Sequence, residues 1–250
     1  RGEEEDISDI PSNRRLILIK NKENYGFAEG NNIGMRYALE NLNPAYIILL
    51  NNDTVVKQDF LYELVKVAEG NKDIGIISPK VLKWHNPKII DSTGHIFRWG
   101  MIVDRGVEEE DFGQYDDKNE IIGSIAAATL YRANMLKEIG LFDKTFITMY
   151  EDAELSWRAY KKGWRAWHVP TSIVYHKRGA SINKSEVISE KIKKYCVRNV
   201  ITTVKKHATP CQKIQFTLLW ITSYMLNLIG LRKSDIDIMP YLSALIRLYR

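Results

Sequence analysis

The chain has 250 residues, 45% hydrophobic and 27% charged, with a net charge of +5, which is ordinary for a globular protein and enough for one large domain or a domain with an appendage. Its two cysteines, Cys196 and Cys211, lack a CxxC spacing or a second pair, which excludes a disulfide framework and a cysteine zinc site and favours a reducing, cytoplasmic setting. The acidic start RGEEEDISDIPSNRR does not read as a secretory leader, and the charge divides unevenly: residues 177–250 hold 14 basic and 4 acidic side chains, whereas residues 1–176 hold 22 and 27.

Leu16 to Lys20 (LILIK) reads as a buried strand. It runs into NKENYGFAEGNN, where Gly26, Phe27, Gly30 and Asn31 form a Gly/Asn turn ahead of a helix from Ala28 to Leu42, a layout that aims backbone amides at a phosphate. Tyr46 to Leu50 (YIILL) is apolar without alternation and is expected at the centre of a parallel sheet covered on both faces. It ends in Asn51, Asn52 and Asp53, short polar side chains at the carboxyl end of a strand, where ligands gather in open α/β sheets. The same triplet also suits an Asx turn or an N-cap, because Thr54 to Ala68 has a helical pattern.

Ile74 to Ser78 is another short buried strand, and Asn86 to Asn119, with four scattered glycines, reads as strands and a long surface loop. Gly123 to Tyr131 (GSIAAATLY) is a strand of small residues that leaves room beside the sheet, followed by a helix from Ala133 to Ile139. Glu151, Asp152 and Glu154 then open a helix, where unpaired N–H groups and the helix dipole favour ionised carboxylates, and Gly163 closes it. Arg165 to Val169 and Ser172 to His176 read as strands that return an imidazole close behind the acidic turn.

Glu186 to Lys206 is a Lys- and Arg-rich helix, and Ile214 to Leu231 runs for 18 residues without a charge between Lys213 and Arg232. Its polar residues gather on one face, which suits an amphipathic helix at an anionic membrane surface better than a span, and equally suits a helical hairpin packed on the body or on a second subunit. No aromatic motif supports nucleic-acid binding.

The ordered set NYGFAEGNN, YIILLNNDTVV, GSIAAATLYRANMLKEIGLFD, YEDAELSWRAYKKGW and IVYH resembles glycosyltransferase family 2, particularly its rhamnosyltransferase-like and galactofuranosyltransferase-like members. The resemblance implies an α/β GT-A fold, Rossmann-like, with a mixed, mainly parallel sheet flanked by helices. It places a glycosyltransferase domain at residues 1–181, truncated before the strand and helix that hold the nucleotide base, and a basic helical tail at residues 182–250. It further implies a UDP- or dTDP-sugar donor, a Mn²⁺ or Mg²⁺ ion, and a glycan or lipid-linked acceptor. Asp53 would be the metal ligand of an Asp-X-Asp-like motif, with Asn51 or Asn52 on ribose or phosphate, and His176, 24 residues after Asp152, would complete the metal site. Asp152 of the Glu151–Asp152 pair would be the catalytic base. Gly123, Ala126 and Ala127 would border the sugar and acceptor, with Trp157, Arg158 and Trp164 lining or supporting the site. A non-catalytic carbohydrate-binding relative and a sugar nucleotidyltransferase are the rival readings, and the oligomeric state stays open.

Overall fold

The computed structural model of the protein describes residues 16–177 and 186–228. Its organising strands are two long aliphatic runs, β3 (Ile74–Lys83) and β9 (Arg165–His176), paired in parallel from Ile74↔Arg165 to Lys83↔His176. Strand β8 (Ala128–Arg132) lies on the other side of β3 and is antiparallel to it, and β1 (Tyr46–Leu50) is antiparallel to β8. A three-residue strand, β2 (Thr54–Val56), pairs antiparallel with the end of β9, giving the order β1-β8-β3-β9-β2. Strands β4 (Ile90–Ser92) and β7 (Glu120–Ile121) add to β3 and β9, while β5 (His95–Arg98) and β6 (Met101–Asp104) form a separate hairpin. The α/β sheet is therefore mixed, and the strands that carry most of its residues, β1, β3 and β9, run in one direction.

Neighbouring residues on a strand face opposite sides of the sheet, so adjacent apolar residues feed two cores. Ile76, Tyr131, Ile47 and Leu49 pack beneath helices α1 (Gly26–Asn41), α3 (Ala133–Ile139) and α4 (Glu151–Lys161). Ile77, Leu130 and Val81 pack against Phe60, Leu64 and Ala68 of α2 (Phe60–Gly70) on the other face. A third cluster joins Ala153 and Trp157 of α4 and Ile102 of β6 to the C-terminal helices α5 (Glu186–His207) and α6 (Pro210–Leu228), through Val197, Val200, Ile201, Val204 and Phe216. The two C-terminal helices thus share a core with the body.

Three sequence expectations are corrected. Leu16–Lys20 is not a strand: Leu16, Leu18 and Ile19 are exposed, and the run has no ladder to join, since β1 pairs only with β8 among the described residues. For the same reason β1 is an end strand with alternating burial rather than the centre of the sheet. The helix expected from Thr54 starts at Phe60, because Thr54–Val56 is drawn into pairing with β9. The expected helix through Leu231 is seen to Leu228, and positions 229–231 lie outside the described residues.

The turn of the β5–β6 hairpin, Trp99–Gly100, has both φ angles positive, at 53° and 75°. An ideal Cβ on Gly100 would lie 2.0 Å from the carbonyl oxygen of Gln212 in α6. Gly100→Ala is expected to destabilise the protein by about 1–3 kcal/mol through overpacking. Denaturant unfolding checks this, and an unchanged midpoint would contradict the docking of α6 on the hairpin.

Candidate active site

The pairing of β2 with β9 sets Thr54 opposite His176 and so delivers Asp53, one residue earlier, to the imidazole. Asp53 Oδ1 lies 3.4 Å from His176 Nε2, and the Lys177 N–H donates to the Asp53 carbonyl at 2.9 Å. The other ring nitrogen, Nδ1, is 2.8 Å from Oδ2 of Asp91, a fully buried carboxylate on β4. With the Nδ1 proton given to Asp91, Nε2 presents a lone pair toward Asp53, whose Oδ1 is buried without a hydrogen-bond partner. Two acceptors facing one another need a cation or a proton between them. An imidazole oriented by a buried carboxylate, beside a second carboxylate, fits a divalent cation such as Mn²⁺, and Asp53 and His176 are the residues that would hold it. Among the described residues there is no group of three or more His, Cys, Asp or Glu side chains able to hold a metal, so these two would need oxygens from a ligand to complete the shell.

Asp152 sits in the first turn of α4. Its Oδ2 accepts the Ala126 N–H at 2.9 Å and its Oδ1 accepts the Ala153 N–H at 2.8 Å, so backbone donors fix its orientation. Glu151 beside it is buried, its Oε2 has no hydrogen-bond partner, and burial, then the charge of Asp152, push its carboxyl up to about 8. One of the adjacent acids is thus kept neutral while the other is held by amides.

Asp53, His176, Glu151 and Asp152 all line one cavity of about 670 Å³. Asn51, Phe27, Ala126 and Ala127 line it too, while Met101, Ile102 and Val103 of β6 and Cys196 and Val200 of α5 form an apolar wall. Burial, then Asp152 and Glu151, push the Cys196 thiol up to about 11, so it serves as a small neutral surface. Asp104 and His95 also border the cavity, with Asp104 Oδ1 3.3 Å from His95 Nε2. His95 Nδ1 meets the Ser156 hydroxyl at 3.2 Å, and that hydroxyl donates to the Asp152 carbonyl at 2.7 Å, which ties the hairpin to α4 beneath the acidic pair.

The remaining sequence candidates lie elsewhere. Gly26 starts α1 with φ 79° and packs on Ile147, whereas Gly30 and Asn31 are inside the helix rather than in a turn, with the Asn31 amide donating to the Phe27 carbonyl. Asn52 is exposed and does not line the cavity. Gly123 supports the site by close approach, since a Cβ there would fall 1.9 Å from Ser156 Oγ. Trp157 is core, packed on Phe97 and His207. Arg158 pairs with Glu154 and donates to the carbonyls of Ile139 and Leu141, and Trp164 donates to Glu138. Sequence reasoning missed Asp91, His95 and Asp104, which fall in the stretch read as strands and loop. Polar residues beside the apolar pair Ile89–Ile90 and around the Trp99–Gly100 turn were the available signal.

Residues 4–198 match the family model described as "Glycosyltransferase like family 2", and the chain belongs to that family. It is 25% identical over 151 residues to a low-salt glycan biosynthesis hexosyltransferase, Agl10, of Haloferax volcanii, covering 59% of this chain and 47% of that protein. It is 22% identical over 173 residues to poly-beta-1,6-N-acetyl-D-glucosamine synthase of Staphylococcus aureus, covering 68% of this chain and 38% of the relative. The chain therefore spans less than half the length of these curated relatives. Among solved structures, GalNAc-T7 with UDP, GalNAc and Mn²⁺ aligns with a TM-score of 0.49 at 16% identity, covering 70% of this chain and 36% of that one.

The raised Glu151 carboxyl gives a pH dependence of known sign. Between its ordinary value of 4.5 and about 8, the unfolded chain has lost the Glu151 proton while the folded chain keeps it, so stability falls as pH rises through that window and levels off above it. Glu151→Gln keeps the shape and the neutrality, and is expected to remove this slope and raise stability at alkaline pH by roughly 2–4 kcal/mol. Urea unfolding at acidic and alkaline pH measures the effect, and an unaltered slope would contradict it.

Proposed function

We propose that this chain carries the catalytic part of an inverting, metal-dependent glycosyltransferase that moves a sugar from a UDP- or dTDP-sugar to a hydroxyl of a glycan or lipid-linked acceptor. The observation that carries the reading is the convergence of Asp53, His176 and Asp152 on one cavity from three distant parts of the sequence. Family membership supports glycosyl transfer, and the relatives' names, a hexosyltransferase of glycan biosynthesis and a polysaccharide synthase, support a saccharide acceptor.

A divalent cation, when bound, would neutralise the charge that develops on the departing diphosphate. The chain's own residues do the rest. Asp53 and His176 would hold that cation where the diphosphate end of the donor lies, with Asn51 beside them for ribose or phosphate. Asp152, oriented by the Ala126 and Ala153 amides, takes the proton of the attacking hydroxyl. Glu151, neutral and buried, adds no second charge that would repel the acceptor or the donor phosphates. A single base and one displacement invert the anomeric centre. The apolar wall of β6 and α5 excludes water from the acceptor side and so favours transfer over hydrolysis.

The proposal extends to a peripheral position on the cytoplasmic face of a membrane. Helix α6 turns Ile214, Leu218, Ile221 and Met225 outward, each at least 50% exposed, in a stripe with helical spacing. It has no acidic residue and comes after Lys205 and Lys206, in a C-terminal stretch with 14 basic and 4 acidic side chains, which suits an anionic bilayer. Among the described residues no helix is long and apolar enough to cross a membrane.

Asp152→Asn is expected to lower transfer by roughly a hundredfold or more while leaving sugar-nucleotide affinity near wild type. A radiolabelled-sugar transfer assay with parallel donor-binding isotherms tests this, and full transfer by the variant would remove Asp152 as the base. In flotation with phosphatidylglycerol vesicles, the wild-type chain is expected to float and the Leu218→Glu/Ile221→Glu variant to stay at the bottom. Equal flotation, or a stripe buried in a dimer of the chain, would contradict the membrane surface.

A further inference from the structure

The segment that leads into the acidic pair adopts a backbone that its side chains disfavour. Ile147, Met149 and Tyr150 have φ angles of 61°, 70° and 71°, positive values that L-residues rarely adopt and that a β-branched residue such as Ile147 adopts least readily. A loop of this kind persists only where its surroundings over-determine it. Part of the fixation comes from the body. The Ile147 carbonyl accepts the Ala28 N–H at 3.0 Å, and the Tyr150 hydroxyl donates to the Ile102 carbonyl at 2.7 Å while accepting the Ile102 N–H at 2.9 Å.

The rest comes from α5. Asn199, 1% exposed, places its Nδ2 at 3.0, 2.9 and 2.6 Å from the carbonyl oxygens of Phe146, Thr148 and Met149, so two N–H bonds are shared among three acceptors. Its own oxygen is taken by Arg198, whose Nε and Nη2 lie 3.0 and 2.9 Å from Oδ1, and this points the amide's donors at the loop. Arg198 Nη2 also donates to the Thr145 carbonyl at 2.6 Å. The next residues after the clamped carbonyls are Tyr150, Glu151 and Asp152, so the position of the loop sets where α4 begins and where the Asp152 carboxylate points. Asn199 does not line the cavity, although Cys196 and Val200 on the same helix do.

We propose that Asn199, oriented by Arg198, is a positioning residue for Asp152: α5 holds the positive-φ loop so that the carboxylate enters the cavity in the geometry needed for transfer. This rests on the reading of Asp152 as the base. It makes α5 a working part of the active site rather than a tail beside it.

The test uses the full chain with Asn199→Ala, and with Arg198→Ala as the milder variant that keeps the buried amide. Turnover and KM for the sugar nucleotide are measured together with amide hydrogen exchange. Turnover is expected to fall roughly tenfold or more in Asn199→Ala, and by about a few-fold in Arg198→Ala, with KM within about twofold, because a small misplacement of a reacting group lowers rate more than binding. Exchange at residues 146–152 should accelerate while β3 and β9 keep their protection. Wild-type turnover with unchanged exchange at this loop would overturn the proposal. So would a loss in which KM rises and β3 and β9 lose protection together, the mark of a residue that only stabilises the fold. If Asn199→Ala does not fold, Arg198→Ala decides by the same criteria. Asp152→Asn assayed alongside separates the two readings: full transfer by that variant ends the role of Asp152, and loop exchange alone then decides whether Asn199 holds the segment.

Discussion

The register between β2 and the end of β9 is the constraint on which the site depends. Three paired residues, Thr54 to Val56 against His176 to Val174, join a turn early in the sequence to the last strand of the sheet. A slip by one residue would turn His176 to the opposite face and separate it from Asp53. The register is fixed from the other side as well, because β9 runs in parallel beside the almost wholly buried β3 as far as Lys83↔His176. Asp91 on β4 then takes the inner ring nitrogen. Core packing, ladder hydrogen bonds and a buried carboxylate thus converge on the orientation of one imidazole.

Opposite that pair, two neighbouring acids are driven apart by their environments. Burial, then the charge of Asp152, keeps Glu151 protonated, whereas Asp152 receives two backbone amides. Like charges at adjacent positions in a low-dielectric pocket would repel each other, and a neutral Glu151 removes that repulsion. The arrangement is assembled from strained loop backbone, an α-helix start and the loop ahead of β8.

Much of this was legible in the sequence where local pattern and tertiary context agree. The apolar runs of β1 and β3, the acidic start of α4, the strand ending at His176 and the basic α5 all follow from periodicity and punctuation, although β1 lies at the end of the sheet and not at its centre. The failures share a cause. Leu16–Lys20 has the composition of a strand but no neighbouring ladder, and Thr54–Val56 has a helical context but is captured by β9. In both, a partner distant in sequence decides the conformation. Asp91 and Asn199 were illegible for a related reason: a buried carboxylate and a buried amide take their meaning from the imidazole and the carbonyls they meet, which lie 85 and about 50 residues away. Asp53, His176 and Asp152 could each be picked out because each stands at the edge of a recognisable element, whereas their grouping as one set was an expectation from the family resemblance.

The central proposal is that Asp53 and His176 together would hold a divalent cation for the donor diphosphate. Titration of the full chain with Mn²⁺ in the presence of UDP, monitored through the loss of the free-ion electron paramagnetic resonance signal, addresses it without reliance on turnover. The account calls for Mn²⁺ uptake that UDP strengthens in the wild-type chain and that falls by roughly tenfold or more in Asp53→Ala. Equal uptake by the two proteins, or UDP binding indifferent to Mn²⁺, would contradict it.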